Sequence, residues 1–314
     1  MNGNLPSLTD IYDRMRKLGS PIEASNLVRD TLAANGITTP GLPGVTAEPT
    51  DMERMHAETA HGSRDYLIFR PAKPADKPAV VVMLHGCTQN AADFALGTGM
   101  NAAADKRGAY VIYPEQAIEA NPMRCWNWFE PANQVKSGES ALLAELIAHA
   151  LKAEGLSNAD VFVAGMSAGG AMAAILANSY PRRFRAAGIH SGLPVGAAAS
   201  VGGAMAAMKS DHPQGAVPAS VPLIIFHGGA DRVVHPANGE KLADRIKGGA
   251  VYRGRPANGR RWSARKSDAG EIWLVDGLGH AWSGGNAQGS HTDPDGPDAS
   301  AEMLRFFWEH RDRV

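Results

Sequence analysis

Residues 161–180 read VFVAGMSAGGAMAAILANSY, and this stretch decides the architecture. Val161–Ala164 is a short, continuous apolar run, which suits a strand buried on both faces of a largely parallel sheet. Gly165-Met166-Ser167-Ala168-Gly169 follows as a turn of small residues around one serine, and Gly170–Tyr180 continues as an apolar helix candidate. A G-x-S-x-G turn between strand and helix forces the serine hydroxyl out above the sheet, while its glycines let strand and helix approach closely. The helix N-terminus adds unpaired N–H groups and a positive dipole end beside that hydroxyl. Outward from this unit the same alternation repeats. Strand candidates are Tyr66–Phe69, Val80–Leu84, Tyr110–Tyr113, Ala186–Ile189, Leu223–Phe226 and Ile272–Val275. Helix candidates are Asn101–Arg107, Glu139–Glu154, Gly239–Ile246 and Ala299–Glu309. The helix at 139–154 places Leu142, Leu143, Leu146, Ile147, Ala150 and Leu151 on one face. Such alternation predicts an α/β fold: a doubly wound, mostly parallel sheet with flanking helices.

The front of the chain has a different texture. Residues 7–34 read as two short amphipathic helices, with a capping-box pattern at Ser7 and Asp10 and a break at Ser20-Pro21. The stretch 36–50, GITTPGLPGVTAEPT, reads as a linker. The expected organisation is an N-terminal helical appendage at 1–35, a linker at 36–60 and the α/β domain at 61–314. The appendage packs on the main domain or docks on a partner or hydrophobic surface.

Composition narrows the partners. With 31 Lys+Arg against 32 Asp+Glu, the formal charge of −1 provides no positive field for nucleic acid or anionic lipid. At 44% hydrophobic residues the chain is too apolar for disorder, and two cysteines exclude a disulfide scaffold or a Cys-rich zinc module. No run approaches the roughly 18 apolar residues of a membrane helix. The polar start shows no secretory signal, so a cytoplasmic location is expected, or a secreted or periplasmic one if a signal has been trimmed. No metal motif, phosphate loop or dinucleotide fingerprint is present, so no cofactor is expected.

A serine in this turn becomes a nucleophile only when a base takes its proton and a third group orients the base. On such sheets the acid and the histidine follow the serine in the chain, on turns after strands. LIIFHGGADRVVHP places Asp231 after the strand at 223–226, and IWLVDGLGHAWSGG places His280 after the strand at 272–275. Ser167, Asp231 and His280 are therefore the candidate catalytic residues, with Asp276 as a competing acid. His190 and His227 close strands directly and read as residues buried beneath the site, while His235 lies too near Asp231 in sequence. The oxyanion needs preformed N–H donors. Ala168 supplies one and Cys87, in VVVMLHGCTQN, the other. Thr88 and Gln89 brace that turn, and His85 reads as a structural histidine fixing the loop.

HGCTQNAADFALGTGMNAAADKRGAYVIYPEQ, RCWNWF, GMSAGGAMA, HSGLP and GHAWSGG together resemble the polyhydroxybutyrate (PHB) depolymerase family of esterases, within the α/β-hydrolase lineage that includes feruloyl and acetylxylan esterases. The resemblance runs over roughly residues 60–310. It implies an α/β-hydrolase fold, a triad at Ser167, Asp231 and His280, and an oxyanion-hole residue at Cys87. It implies an acyl-serine mechanism on an uncharged ester, foremost polyhydroxybutyrate or hydroxyalkanoate oligoesters, with plant-wall feruloyl or acetyl esters as the alternative. A non-catalytic protein bound to polymer granules through residues 1–35 is the further alternative. The resemblance also makes a Cys87–Cys125 disulfide an expectation, whereas a cytoplasmic location favours two reduced thiols.

Trp126, Trp128, Phe129 and Trp282 fall on loops beside these elements, where they line a cleft or pack in the core. Trp282, Trp128 and Gln89 are the candidate substrate contacts. The basic cluster Arg253, Arg255, Arg260, Arg261, Arg265 and Lys266 reads as a solvated hairpin or loop. HTDPDGPDAS reads as the turn that starts the last helix rather than a calcium loop.

Overall fold

The computed structural model describes residues 50–218, 220–256 and 259–311. β1 (Met52–Thr59) and β2 (Gly62–Phe69) form an antiparallel hairpin, followed by β3 (Ala79–Leu84), the helices α1 (Ala91–Thr98) and α2 (Met100–Asp105), and β4 (Tyr110–Pro114). A 3-10 turn at Pro131–Gln134 leads to α3 (Gly138–Ala153), β5 (Asp160–Met166), α4 (Ala168–Ser179), β6 (Ala187–His190) and α5 (Val201–Lys209). Then come β7 (Leu223–Gly228), α6 (Ala237–Leu242), β8 (Ala250–Gly254), β9 (Trp262–Ser267) and β10 (Gly270–Val275). The short strands β11 (Trp282–Ser283) and β12 (Thr292–Asp293) precede the last helix, α7 (Ala299–Glu309).

The ten-stranded sheet has the order β1-β2-β4-β3-β5-β6-β7-β10-β9-β8. Its interior from β4 to β10 is parallel, and antiparallel hairpins close both edges. Both faces are covered, which is why the inner strands read as unbroken apolar runs rather than alternating ones. Along β3, Val80, Val82 and Leu84 pack with the apolar sides of α3 and α4, while Val81 and Met83 pack with α1, α2 and α7. Each apolar run singled out in the sequence lies in a strand, because burial on both sides demands that composition.

The edges depart from expectation for the opposite reason. Met52–Thr59, within the stretch read as linker, forms the outer strand β1, where Ala57 is the one buried residue. Such a strand needs no apolar alternation and carries charges that discourage further pairing. The basic cluster, read as a solvated hairpin or loop, does form a hairpin: Arg253 lies in the exposed strand β8 and Arg265 and Lys266 in the half-buried strand β9. α1 was also not anticipated; Asn90 caps it by accepting a hydrogen bond from Asp93 N at 2.7 Å. The expected appendage at 1–35, and residues 36–49 of the expected linker, lie outside the described residues.

Candidate active site

The turn at Ser167 is set by backbone sterics. Ser167 has φ 56° and ψ −120°, a conformation that an L-residue adopts only under constraint. The constraint is the close approach of strand and helix. A Cβ on Gly169 would run into the carbonyl oxygens of Leu84 and His85, and one on Gly165 would run into the backbone of Gly169. Ser167 N also donates to His190 O at 2.9 Å, tying the turn to the neighbouring strand β6. Ala168 is the first residue of α4, so its N–H has no partner within the helix.

Two loops at the carboxyl ends of β7 and β10 bring an acid and a histidine together. Gly229 N donates to Val275 O at 2.8 Å and Ala230 N to Leu278 O at 2.9 Å. A Cβ on Gly228 would collide with the carbonyls of Leu278 and Gly279, so the closeness of these loops requires glycine there. Asp231 is buried, and its Oδ1 accepts from Val233 N and Val234 N, both at 2.9 Å. Its Oδ2 pairs with His280 Nδ1 at 2.8 Å. Burial alone would raise the carboxyl pKa. The bond from His280, the charges of His280 and His227, and the Val234 amide outweigh it and hold the group down to about 2. Asp231 is therefore a carboxylate at neutral pH, so the proton of this bond sits on His280 Nδ1 and Nε2 is the ring nitrogen it leaves unengaged. Ser167 Oγ and His280 are not hydrogen-bonded to each other in this geometry. Asp276, the competing acid, is exposed and pairs with Arg261 at 3.5 Å.

The loop after β3 is fastened from several sides. His85 is fully buried; its Nδ1 donates to Gly86 O at 2.8 Å, and its Nε2 accepts from Gln116 N at 3.1 Å. Trp126 Nε1 donates to His85 O at 3.0 Å, and Thr88 N donates to Met123 O at 2.7 Å. A Cys87–Cys125 disulfide joins the same two loops, with Cα atoms 4.2 Å apart. Among the described residues no backbone carbonyl engages the N–H of Cys87.

The three candidate substrate contacts are placed elsewhere. Trp282 is 1% exposed; it stacks on His190 at 5.0 Å and donates from Nε1 to Ser300 Oγ at 3.1 Å, so it is core rather than cleft wall. Trp128 is 5% exposed and packs edge-on against Phe129. Gln89 is buried as a brace, its Oε1 accepting from Gly86 N at 3.0 Å and its Nε2 donating to Asp93 Oδ2 at 3.1 Å. Indoles next to site loops satisfy their apolar area by packing inward, and the sequence does not reveal which way a loop turns. His190 and His227 are both buried, with pKa values lowered by desolvation, His190 to about 3. Sequence reading missed Asp93, Ser290 and Glu139. Buried Glu139 accepts from Gln116 Nε2 at 2.5 Å and Asn127 N at 2.6 Å, anchoring the Trp126–Phe129 loop. Only its burial distinguishes it from an ordinary first-turn glutamate. Among the described residues no group of three or more His, Cys, Asp or Glu side chains is arranged to hold a metal.

Residues 65–252, more than half of the chain, match the family model "Esterase PHB depolymerase". The chain belongs to this family of esterases. The matched region contains Ser167 and Asp231 and ends before His280, whose position rests on the geometry above. Poly(3-hydroxyalkanoate) depolymerase C of Paucimonas lemoignei is 35% identical over 104 residues, 33% of this chain and 25% of that protein. Feruloyl esterase B of Neurospora crassa is 31% identical over 110 residues, 34% of this chain and 37% of that one. The chain thus aligns with a quarter to little more than a third of these relatives' length. An acetyl xylan esterase from Aspergillus awamori superposes with a TM-score of 0.63 at 20% identity, covering 73% of this chain and 93% of that one. At that identity the likeness is one of fold: an α/β-hydrolase-like, mostly parallel sheet with flanking helices.

Proposed function

We propose that this protein is a serine carboxylic-ester hydrolase in which Ser167 is the nucleophile, His280 the base and then the acid, and Asp231 the orienting carboxylate. The observation that carries this reading is the 2.8 Å bond between His280 Nδ1 and the buried Asp231, in a fold that also sets Ser167 on a forced strand–helix turn. Because Nδ1 keeps its proton on Asp231, Nε2 is free to take the Ser167 proton once substrate aligns the hydroxyl. Attack on the ester carbonyl gives a tetrahedral oxyanion, and the N–H groups of Ala168 and Cys87 stabilise it. His280 then returns the proton to the departing alcohol, and water repeats the sequence on the acyl-serine.

For the substrate we favour polyhydroxybutyrate or hydroxyalkanoate oligoesters, supported by family membership and the near-zero net charge. Feruloyl or acetylxylan esters are the second reading, supported by the partial match to feruloyl esterase B. The granule-binding alternative depends on residues 1–35 and on loss of catalysis, and the intact Asp231–His280 pair argues against it. The disulfide favours an oxidising compartment over the cytoplasm expected from the polar start. Among the described residues no helix is long and apolar enough to cross a membrane.

Ser167→Ala tests the mechanism on a p-nitrophenyl ester, where turnover should fall by at least about 10³-fold. Undiminished turnover would sink the serine mechanism. Comparing rates on hydroxybutyrate oligomers, methyl ferulate and acetylated xylan ranks the substrates.

A further inference from the structure

A second polar chain runs from the loop after β3 to a histidine the mechanism does not use. Gln89 Oε1 accepts from Gly86 N at 3.0 Å, which fixes the amide orientation and makes Nε2 its donor end. That Nε2 donates to Asp93 Oδ2 at 3.1 Å and to Ser290 Oγ at 3.2 Å. Buried Asp93 also accepts from Ser290 N at 2.9 Å through Oδ1, and from Ser290 Oγ, in a short contact, through Oδ2. The single hydroxyl proton of Ser290 is thus committed to a carboxylate. Ser290 Oγ has only acceptor capacity left, so His291 Nδ1, 3.1 Å away, must donate to it. In the neutral ring the other nitrogen, Nε2, is then an acceptor.

The placement of this acceptor is specific. His291 O accepts from Trp282 N at 2.7 Å, two residues beyond His280, while its ring bonds Ser290, which is itself bonded to Gln89 of the loop after β3. Gly86 in turn borders the nucleophile: a Cβ on it would lie 3.6 Å from Ser167 Cβ. His291 holds φ 53°, a left-handed conformation unusual for histidine and of the kind that clusters at functional sites. Among the described residues nothing bonds His291 Nε2, and it is not one of the polar atoms sealed from solvent. Desolvation, with His280 adding to it, lowers the pKa of the ring and so keeps it neutral.

We propose that His291 Nε2 accepts a hydrogen bond from a hydroxyl group of the ester substrate, giving the enzyme a preference for hydroxylated over deoxy esters. This rests on the serine-hydrolase reading and specifies its substrate class. The hydroxyl belongs to the acyl chain, as in a 3-hydroxyacyl ester, or to the alcohol, and two substrate pairs separate these sources. One pair is p-nitrophenyl 3-hydroxybutyrate against p-nitrophenyl butyrate. The other is 2-hydroxyethyl butyrate against ethyl butyrate.

For the wild-type enzyme, kcat/KM in one pair should favour the hydroxylated ester by about tenfold, the worth of one hydrogen bond. His291→Asn, a residue that tolerates the left-handed backbone but falls short of the Nε2 position, should bring that ratio close to one. His291→Gln, whose amide oxygen reaches about as far as Nε2, should restore part of it. The ratio within each variant is insensitive to the amount of folded protein. A wild type without hydroxyl preference in either pair, or one whose preference His291→Asn leaves intact, overturns the inference while the hydrolase reading stands. Absence of turnover on all four esters would sink the hydrolase reading and this one together.

Discussion

At Ser167 the backbone stands at φ 56°, and Gly165 and Gly169 have no side chain because Leu84, His85 and the helix leave no room for one. Those residues were legible because turn chemistry is local: small residues at fixed offsets around a serine, between an apolar strand and an apolar helix. The choice of acid was less so. Asp231 and Asp276 each follow an apolar strand, and only the fold shows that one is buried against His280 while the other faces solvent beside Arg261. Asp231→Asn should therefore lower kcat by about 10⁴-fold, since an amide no longer holds the required tautomer. Asp276→Asn should leave kcat within about twofold. Steady-state kinetics on a p-nitrophenyl ester checks both, and equal losses would remove Asp231 from its role. His291 shows the limit at this scale, because nothing near it in sequence announces its chain of bonds to Asp93.

Among the elements, the loop after β3 and the loop containing Trp126 behave as one unit. The disulfide closes a sequence separation of 38 residues, and Thr88 and Trp126 add hydrogen bonds between the same segments. Restricting an unfolded loop of that length contributes about 4 kcal/mol in the chain-entropy picture. The Cys87→Ser/Cys125→Ser protein should lose stability on that order, seen as a lower urea midpoint with a similar slope. An unchanged midpoint would mean that the hydrogen bonds alone fix the two loops. Inner strands were readable because burial on both faces writes itself into composition. β1 was not, since an edge strand is stabilised by ladder bonds on one side and needs little apolar surface.

Across the whole molecule, the buried histidines make stability depend on acid. His85 is lowered to about 4 and His190 to about 3, both chiefly by desolvation, and His227 is lowered by the same cause. Each folded pKa lies below the unfolded value near 6.5, so the unfolded chain binds protons that the folded chain refuses. Stability is complete above pH 6.5 and is lost as pH falls from there toward about 4 and 3. Each such histidine costs on the order of 1 kcal/mol per pH unit in that window. Asp231, held to about 2, adds a loss only below the ordinary carboxyl range near 3.8. Urea midpoints measured between pH 7.5 and 4.5 should fall steeply, and a flat profile would contradict this account.

The sequence by itself determined the alternating architecture, the strand–turn–helix at Ser167, the order of the acid and histidine loops, and the two cysteines beside the site. These follow from periodicity, burial and turn sterics, which act over a few residues. Only the tertiary structure decided that Asp231 rather than Asp276 meets His280, and that Trp282, Trp128 and Gln89 serve packing and bracing. It also decided that Asp93 and Ser290, nearly two hundred residues apart, orient His291. Those outcomes depend on which distant surfaces meet and how dry they become, and desolvation and hydrogen-bond partnership belong to the folded neighbourhood rather than to any one segment.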